Sequence, residues 1–181
     1  MKNRFLLLNR WRFKEVGKRV SIFSPLHING MEYITLGNRV SVHEGTWLAA
    51  TPLTGHEVRL VIEDEAVLGH YNHIFATKSI IIEKYVLTAN QVYISDNLHS
   101  YEDVSLPVIR QPIKQCNTVV IGEGSWLGEN VCVIGASVGK HCVIGANSVV
   151  TKDIPDYSVA VGAPARVIKT YDSKKEEWIK I

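Results

Sequence analysis

One histidine in a polar segment is the residue of this chain best suited to acid–base chemistry. Residues 95 to 101 read SDNLHSY, with His99 near the centre. A partly exposed imidazole is close to neutral at pH 7, so its free nitrogen lone pair can accept a proton from a bound hydroxyl or amine. The alternative interpretation of His99, from spacing alone, is an ordinary surface group in a polar loop.

A second group of polar side chains has the chemistry to hold an acceptor molecule. Residues 68 to 76 read LGHYNHIFA, and the His99 segment adds a carboxylate and a phenol. The candidate acceptor contacts are His70, Asn72, His73, Asp96 and Tyr101. Two of them have a structural alternative, because Asn72 falls at a repeat position that faces inward and Asp96 can cap a turn instead of orienting His99.

A six-residue period indicates which elements must position these groups. Most aliphatic positions within a group lie six apart, and a second column of small or β-branched residues follows four residues after each. The aliphatic positions are Leu36, Val42, Leu48, Ile62, Leu68, Ile74, Ile82, Ile94, Ile121, Leu127, Val138, Ile144 and Val150. A period of six fits neither an amphipathic helix nor an ordinary exposed strand. It predicts short strands and corners that close three-sided turns, stacked with the aliphatic side chains inside.

This hexapeptide pattern resembles the left-handed parallel β-helix acyltransferases over roughly residues 20 to 168. The resemblance implies an all-β protein, and it alone implies the left-handed sense. We expect a β-helix domain over residues 1–170 and a short helical tail over 171–181. Residues 95–117 have two prolines and no six-residue register, which predicts a loop that protrudes from the column.

The length and composition of the chain are those of a single domain, and its charge favours no particular class of partner. The chain has 181 residues, 46% of them hydrophobic, and a formal net charge of +2, which favours neither nucleic acid nor an anionic membrane as the main partner. The N-terminal apolar run is too short for a signal peptide or a membrane span. The three cysteines show no paired metal spacing, which suits a reducing compartment, and we expect a cytoplasmic protein.

The His99 segment is similar to the protruding S-D-H-x-H-G-Y motif of sugar and xenobiotic O-acetyltransferases with this fold. Asp96, His99 and Tyr101 match that motif, whereas Asn97 and Ser100 depart from it. The resemblance implies that His99 is the general base in direct transfer from acetyl-CoA to a sugar hydroxyl, with surface-polysaccharide biosynthesis as the expected setting. It also implies no metal, and a homotrimer in which His99 faces a neighbouring subunit.

The same resemblance implies a donor site downstream of the loop. Trp126 matches a tryptophan beside the thioester, and the alternative is an ordinary aromatic on a subunit face. Backbone groups matching Gly128, Ala146 and Thr151 would contact the pantetheine arm. Basic residues matching Lys152, Arg166 and Lys169 would meet the nucleotide phosphates, with Arg166 the strongest because its guanidinium binds phosphate through two parallel hydrogen bonds.

Two other functions remain open from the sequence. A γ-type carbonic anhydrase shares the fold and would use three histidines around zinc, for which His70, His73 and His99 are available. That family takes two ligands from an H-x4-H segment, and no second histidine lies five residues from His99. A β-helix scaffold without catalysis is the third possibility. The sequence does not identify the acceptor, the pathway or the acyl group, nor does it distinguish O- from N-acetylation.

Overall fold

The computed structural model of the protein describes residues 4–181, so the first three residues of the predicted domain lie outside the described part. The chain winds into a three-sided column of short strands. In chain order the strands are β1 (Glu15–Val16), β2 (Ser21–Ile22), β3 (His27–Asn29), β4 (Ile34–Leu36), β5 (Ser41–Val42), β6 (Trp47–Ala50), β7 (Arg59–Ile62), β8 (Val67–Leu68), β9 (His73–Ala76), β10 (Ser79–Ile82), β11 (Leu87–Thr88), β12 (Tyr93–Ser95), β13 (Asn97–His99), β14 (Ile113–Gln115), β15 (Val119–Ile121), β16 (Trp126–Leu127), β17 (Cys132–Ile134), β18 (Val143–Ile144), β19 (Val149–Val150), β20 (Ser158–Val161), β21 (Arg166–Asp172) and β22 (Glu177–Lys180).

Strands of successive coils stack into three sheets, as a β-helix requires. Sheet A contains β1, β4, β7, β10 and β15. Sheet B contains β2, β5, β8, β11, β16, β18 and β20 of the column and continues into β21 and β22. Sheet C contains β3, β6, β9, β12, β17 and β19. Within the column each pair is parallel and in register, so that Ile62 lies beside both Leu36 and Ile82.

The aliphatic side chains at six-residue spacing fill the column, which confirms the predicted repeat. All thirteen predicted aliphatic positions are buried, and so are the small residues of the second column, including Asn72 and Cys142. A buried Ile or Leu stabilises the fold by roughly 1.5–3 kcal/mol. Where the spacing falls to five between Val133 and Val138, sheet A continues only through isolated bridges at Val138 and Ile154.

The predicted protrusion is an antiparallel hairpin outside the three sheets. Strand β13 pairs with β14, with His99 opposite Ile113. The hairpin leaves the column after β12 of sheet C and returns before β15 of sheet A, at what we call the C–A corner. The turns between sheets B and C form the B–C corner on the next edge of the column.

A short helical segment covers the first coil. Helix α1 (Arg4–Asn9) is followed by a 3-10 turn over Arg10–Arg12. Leu6 and Phe13 of this segment are buried against the end of the core. The open end of a stacked column exposes apolar side chains, and these two residues close it. None of the helices in residues 4–181 has the length and apolar content needed to cross a bilayer.

The prediction of a helical C-terminal tail is wrong. Strand β21 crosses the predicted boundary at residue 170, and it pairs antiparallel with both β20 and β22. The end strand of sheet B offers unpaired backbone groups, and the hairpin satisfies them, which a short helix would not. Trp178 packs on Tyr171 of the opposite strand, with ring centroids 5.5 Å apart.

Candidate active site

His99 is exposed on the protruding hairpin, as the sequence predicts. Its strand is anchored on both sides of His99, because the Asn97 amide donates to the Phe75 carbonyl at 3.3 Å and the Ser100 N–H donates to the Pro112 carbonyl at 3.1 Å. An imidazole in this position is open to solvent and carried by paired backbone. It can therefore meet a substrate that approaches the column from outside.

Asp96 has a structural role instead of the predicted acceptor contact. Its side chain is completely buried, and its carboxylate accepts the backbone N–H groups of Thr77, Lys78 and Ser79 at 2.7–2.8 Å. The Thr77 hydroxyl and the Asn97 amide also donate to it. With these five hydrogen bonds, the carboxylate fixes the turn beneath the hairpin and has no path to a ligand.

Gln115 ties the other strand of the hairpin to the column, and the sequence analysis missed it. Its side-chain amide donates to the Asp96 carbonyl at 2.6 Å, and its oxygen accepts the Thr54 hydroxyl at 2.6 Å and lies 3.0 Å from Thr77 Oγ1. Thr54 is 61 residues earlier in the chain. In the sequence, Gln115 could have been noticed only as a long amide side chain near the end of residues 95–117, the segment without the six-residue repeat.

The tip of the hairpin has its own polar contacts. Tyr101 is exposed, and its backbone N–H donates to Glu102. The Lys114 ammonium binds the Glu102 carboxylate across the hairpin, and with the Tyr101 N–H it lowers the pKa of Glu102 to about 2. The Gln111 amide donates to two carbonyls of the tip at 2.8 and 3.0 Å. Tyr101 is thus available to an acceptor, but no contact within the described residues orients its ring towards one.

The predicted donor residues form two groups on the column. Gly128 and Ala146 are stacked at the B–C corner, where a side chain at Gly128 would lie 2.8 Å from the Ala146 backbone nitrogen. Trp126 is half-exposed on the outer face of sheet B, two residues before Gly128. Gly128 is buried beneath the next coil, which its lack of a side chain allows to stack closely, whereas the small Ala146 is exposed beside it. We call the Trp126, Gly128 and Ala146 surface the donor strip.

The basic candidates Arg166 and Lys169 lie near the C-terminal end of the column. Arg166 pairs with Val161 in the last part of sheet B, and Lys169 pairs with Val159. Both side chains are exposed, and Arg166 has one recorded hydrogen bond, to the Ala165 carbonyl. Thr151 and Lys152 are also exposed, but they follow β19 at the C–A corner. Arg166 and Lys169 are thus on one strand, β21, whereas Thr151 and Lys152 directly follow β19.

His70 is at the B–C corner and has a defined tautomer. Asn90 Oδ1 accepts both the backbone N–H of His70 at 2.8 Å and the ring at 3.1 Å. The Asn90 side-chain oxygen can only accept hydrogen bonds, so His70 Nδ1 must carry the ring proton. His70 Nε2 then has a lone pair that can accept a hydrogen bond from a ligand. The His43 ring packs against it at 4.9 Å, and burial, followed by the His70 charge, lowers the pKa of His43.

The other two candidates near His70, which are Asn72 and His73, make their main contacts with neighbouring side chains and backbone of the column. The buried Asn72 donates to Thr88 Oγ1 at 2.5 Å and accepts the Val92 N–H at 2.7 Å, which makes it a structural amide and corrects the predicted acceptor contact. His73 stacks on Trp47 on the outer face of sheet C, with centroids 4.2 Å apart. Its Nε2 is buried with no recorded hydrogen-bond partner, and burial lowers its pKa.

Within residues 4–181, the predicted site residues are divided between two edges of the column. His99 projects from the C–A corner, whereas the donor strip occupies sheet B and the B–C corner. Within residues 4–181 no recorded hydrogen bond or ring contact joins His99 to Trp126, and no cluster of three His, Cys, Asp or Glu side chains could hold a metal ion. His70, His73 and His99 therefore form no zinc site within one chain.

Comparisons with known proteins agree with the repeat and the fold. The family described as the hexapeptide repeat of succinyl-transferase matches residues 118–152. Rv3034c of Mycobacterium tuberculosis, named a probable acetyltransferase, is 36% identical over 176 residues, which are 90% of this chain and 57% of that protein. WbbJ of Escherichia coli K12, assigned as an O-acetyl transferase of lipopolysaccharide biosynthesis, is 36% identical over 67% of this chain and 65% of its own length. The chain thus spans less than two thirds of each relative.

Solved structures share the architecture at lower sequence identity. AntD, an N-acyltransferase of Bacillus cereus solved with dTDP and 3-hydroxybutyryl-CoA, superposes with a TM-score of 0.77 at 18% identity, over 93% of this chain and 89% of AntD. PerB of Caulobacter crescentus, solved with CoA and GDP-perosamine, gives 0.55 at 19% identity, over 91% and 65%. The fold is the left-handed parallel β-helix expected from the resemblance. By its repeat, its fold and its sequence relatives, the chain is identified as a hexapeptide-repeat protein similar to the acetyltransferases of this architecture.

Proposed function

We propose that this protein is an acetyl-CoA-dependent acetyltransferase that modifies a sugar hydroxyl, with His99 as its general base. The observation that carries the proposal is the exposed imidazole on a hairpin anchored by the buried Asp96 and by Gln115. Similarity to WbbJ supports a hydroxyl acceptor and a place in polysaccharide biosynthesis. A cytoplasmic location is part of the proposal and follows from the reducing environment that suits the three free cysteines.

In the proposed reaction His99 accepts the proton of the acceptor hydroxyl while that oxygen attacks the thioester carbonyl. The carbon–sulfur bond then breaks, and the proton passes from His99 to the departing CoA sulfur. No covalent acyl-enzyme is required, and burial raises the pKa of all three cysteine thiols, which makes them weak nucleophiles. General-base assistance contributes about 10²–10⁴ in rate, or roughly 3–5 kcal/mol of barrier.

The donor strip fits the shape and charge of the thioester substrate. A pantetheine arm is long and narrow, and it could lie along the exposed Trp126 and Ala146, where the small Ala146 side chain leaves room for it. The exposed Arg166 and Lys169 stand beyond the strip, where they would meet the phosphates at the other end. Thr151 and Lys152 lie at a different corner, so we propose that they contact a donor held against another copy. This arrangement is the basis for a proposed homotrimer with sites between subunits.

His70 is the acceptor contact that the geometry supports best. Its Nε2 accepts a hydrogen bond in the tautomer set by Asn90, and it stands at the same corner as the donor strip. A sugar hydroxyl that donates to His70 would lie along the edge on which the donor is bound. Tyr101 is exposed and stays a further proposed contact. His73 on the outer face of sheet C also stays one, through the part of the ring other than its buried Nε2.

The test is acetyl-CoA-dependent thiol release with a panel of nucleotide sugars, glycosides and amino sugars. With an accepted substrate, His99→Ala should lower turnover by at least about 10² and leave CoA affinity in calorimetry nearly unchanged. The matched control is His56→Ala, an exposed histidine in the loop between β6 and β7, which should keep full activity.

Each alternative function has its own outcome in these measurements. If only amino sugars in the panel are acetylated, the acceptor is an amine and not the proposed hydroxyl. Loss of CoA binding in the wild-type protein would favour a scaffold without catalysis. Zinc in stoichiometric amounts would favour the carbonic anhydrase interpretation, and full turnover by His99→Ala would remove His99 as the base.

A further inference from the structure

The short helical segment at the start of the column exposes an apolar side. Arg4, Leu7, Leu8 and Trp11 recur at intervals of three and four, which places them on one side of a helix. Leu7, Leu8 and Trp11 are 71%, 74% and 82% exposed, although Leu6 on the opposite side is buried. The segment therefore covers the end of the core with one side and presents a second apolar side to solvent.

The first coil extends this apolar surface. Phe23, directly after β2, is 42% exposed, and Leu26, directly before β3, is 60% exposed. Helix α1 contacts β2, so all five large side chains belong to the same end of the column. We call Leu7, Leu8, Trp11, Phe23 and Leu26 the N-terminal face. Single exposed apolar residues are common, but five at one end of a small protein indicate an interaction surface.

Basic side chains surround the N-terminal face. Between residues 4 and 19 the chain has six basic residues and one acidic residue, Glu15, although the whole chain has a formal net charge of only +2. The six are Arg4, Arg10, Arg12, Lys14, Lys18 and Arg19. All six are exposed, and none takes part in a salt bridge recorded for the described residues. Net charge hides this asymmetry, because the remainder of the chain is slightly acidic.

We propose that the N-terminal face binds the surface of a bilayer that contains anionic lipids. Trp11, Leu7 and Leu8 would enter the interfacial region, where an indole is especially stable, and the basic side chains would meet the headgroup phosphates. A second copy of the chain fits this face less well, because a symmetric contact would bring two sets of six positive charges together. A nucleic acid would satisfy the charges and leave the leucines exposed.

Binding to vesicles tests this proposal with the full-length protein. Co-sedimentation should be strong with phosphatidylcholine vesicles that contain phosphatidylglycerol, weak with phosphatidylcholine alone, and reduced by added salt. Trp11→Ser should lower the partition coefficient by at least about tenfold, because an interfacial Trp is lost. The double variant Arg12→Glu, Lys14→Glu should lower it at least as much, since each basic residue near an anionic surface contributes roughly fivefold.

Matched controls come from the other end of the column. Trp178→Ser and the double variant Lys174→Glu, Lys175→Glu alter the same residue types in the exposed C-terminal hairpin, and both should bind vesicles like the wild type. The proposal is overturned if the wild type does not co-sediment with anionic vesicles. It is equally overturned if the N-terminal variants and the control variants have the same partition coefficient. It is also overturned if Trp11→Ser changes the oligomeric state in light scattering while vesicle binding is unaltered, since that assigns the face to another copy.

Discussion

Two residues three positions apart in one motif have opposite environments. His99 is exposed on paired backbone, whereas Asp96 is buried with five hydrogen bonds. A buried carboxylate that accepts three backbone N–H groups can hold a turn firmly, but it cannot also bind a substrate. The motif therefore combines one group for chemistry with one group that fixes where the chemistry takes place.

His73 provides a prediction at the residue scale. Burial lowers its pKa below the ordinary 6.5, so the unfolded chain binds the proton more readily than the folded chain. Folding stability should then fall as the pH drops from about 7 to 5, because the depressed pKa of a histidine favours the folded state only when the ring is neutral. His43 has the same direction of shift and should contribute in the same sense.

His73→Phe keeps the stacking on Trp47 and removes a buried nitrogen with no recorded partner. We expect urea unfolding to show equal or greater stability at pH 7, by up to about 1 kcal/mol, and a weaker loss of stability between pH 7 and 5. His56→Ala is the control, since that residue is exposed and its replacement should leave the pH profile of stability unaltered. An unaltered pH dependence in His73→Phe would contradict the assignment.

The sequence predicted which residues face inward and missed what the polar residues contact. The six-residue period determines the inward positions locally, so Ile62, Asn72 and Cys142 are all buried as expected. Hydrogen-bond partners come from other coils, as with Gln115 and Thr54, which lie 61 residues apart. A single sequence contains no local sign of such a pair, and for the same reason the role of Asn90 became clear only in three dimensions. For Asp96 the sequence offered two roles, and the structure supports the capping of a turn.

At the scale of elements, the hairpin is rigid where it leaves the column and polar at its tip. Gln115 connects the return strand to Asp96, Thr77 and Thr54. The proposed base stands on the partner strand, so a looser Gln115 should displace His99 relative to a bound acceptor. Small displacements of a general base are costly, because proton transfer needs hydrogen-bond distance.

Gln115→Met keeps the length of the side chain and removes its hydrogen bonds to Thr54, Asp96 and Cys116. We expect kcat to fall by about tenfold with little change in the KM for acetyl-CoA and the same apparent pKa in the pH–rate profile. Hydrogen exchange should become faster at residues 97–99 and 113–115. Gln111→Met, at the hairpin tip, is the matched control and should leave exchange at the base unchanged. Normal exchange and normal kcat in Gln115→Met would refute the positioning role.

The C-terminal element shows why local sequence misled the prediction of a helix. Residues 171–181 are polar and without a clear strand period, yet β22 pairs along the whole of its length with β21. The free edge of sheet B determines the outcome, because backbone groups in a strand beside it gain hydrogen bonds that local propensity does not describe. The turn is closed by Asp172, which accepts the N–H groups of Lys174 and Lys175.

At the scale of the whole molecule, a single column offers His99 and the donor strip on different sides. Flat outer faces give little concavity, whereas ligand sites usually bury most of the ligand. A neighbouring copy packed against the column would supply the missing wall and would bring one copy's hairpin to another copy's strip. The proposed active site therefore forms only between two copies, with His99 from one copy and the donor strip from the other.

Mixed assemblies test this central claim most directly. His99→Ala removes the base, and Ala146→Trp fills the donor strip at an exposed position, so each variant alone should be inactive. When both are co-expressed with different tags and only complexes that carry both tags are purified, each mixed trimer should recover about a third of the wild-type activity, because one of its three sites combines an intact His99 with an intact strip. Complexes that contain both tags and show no activity above the parent variants would contradict the account.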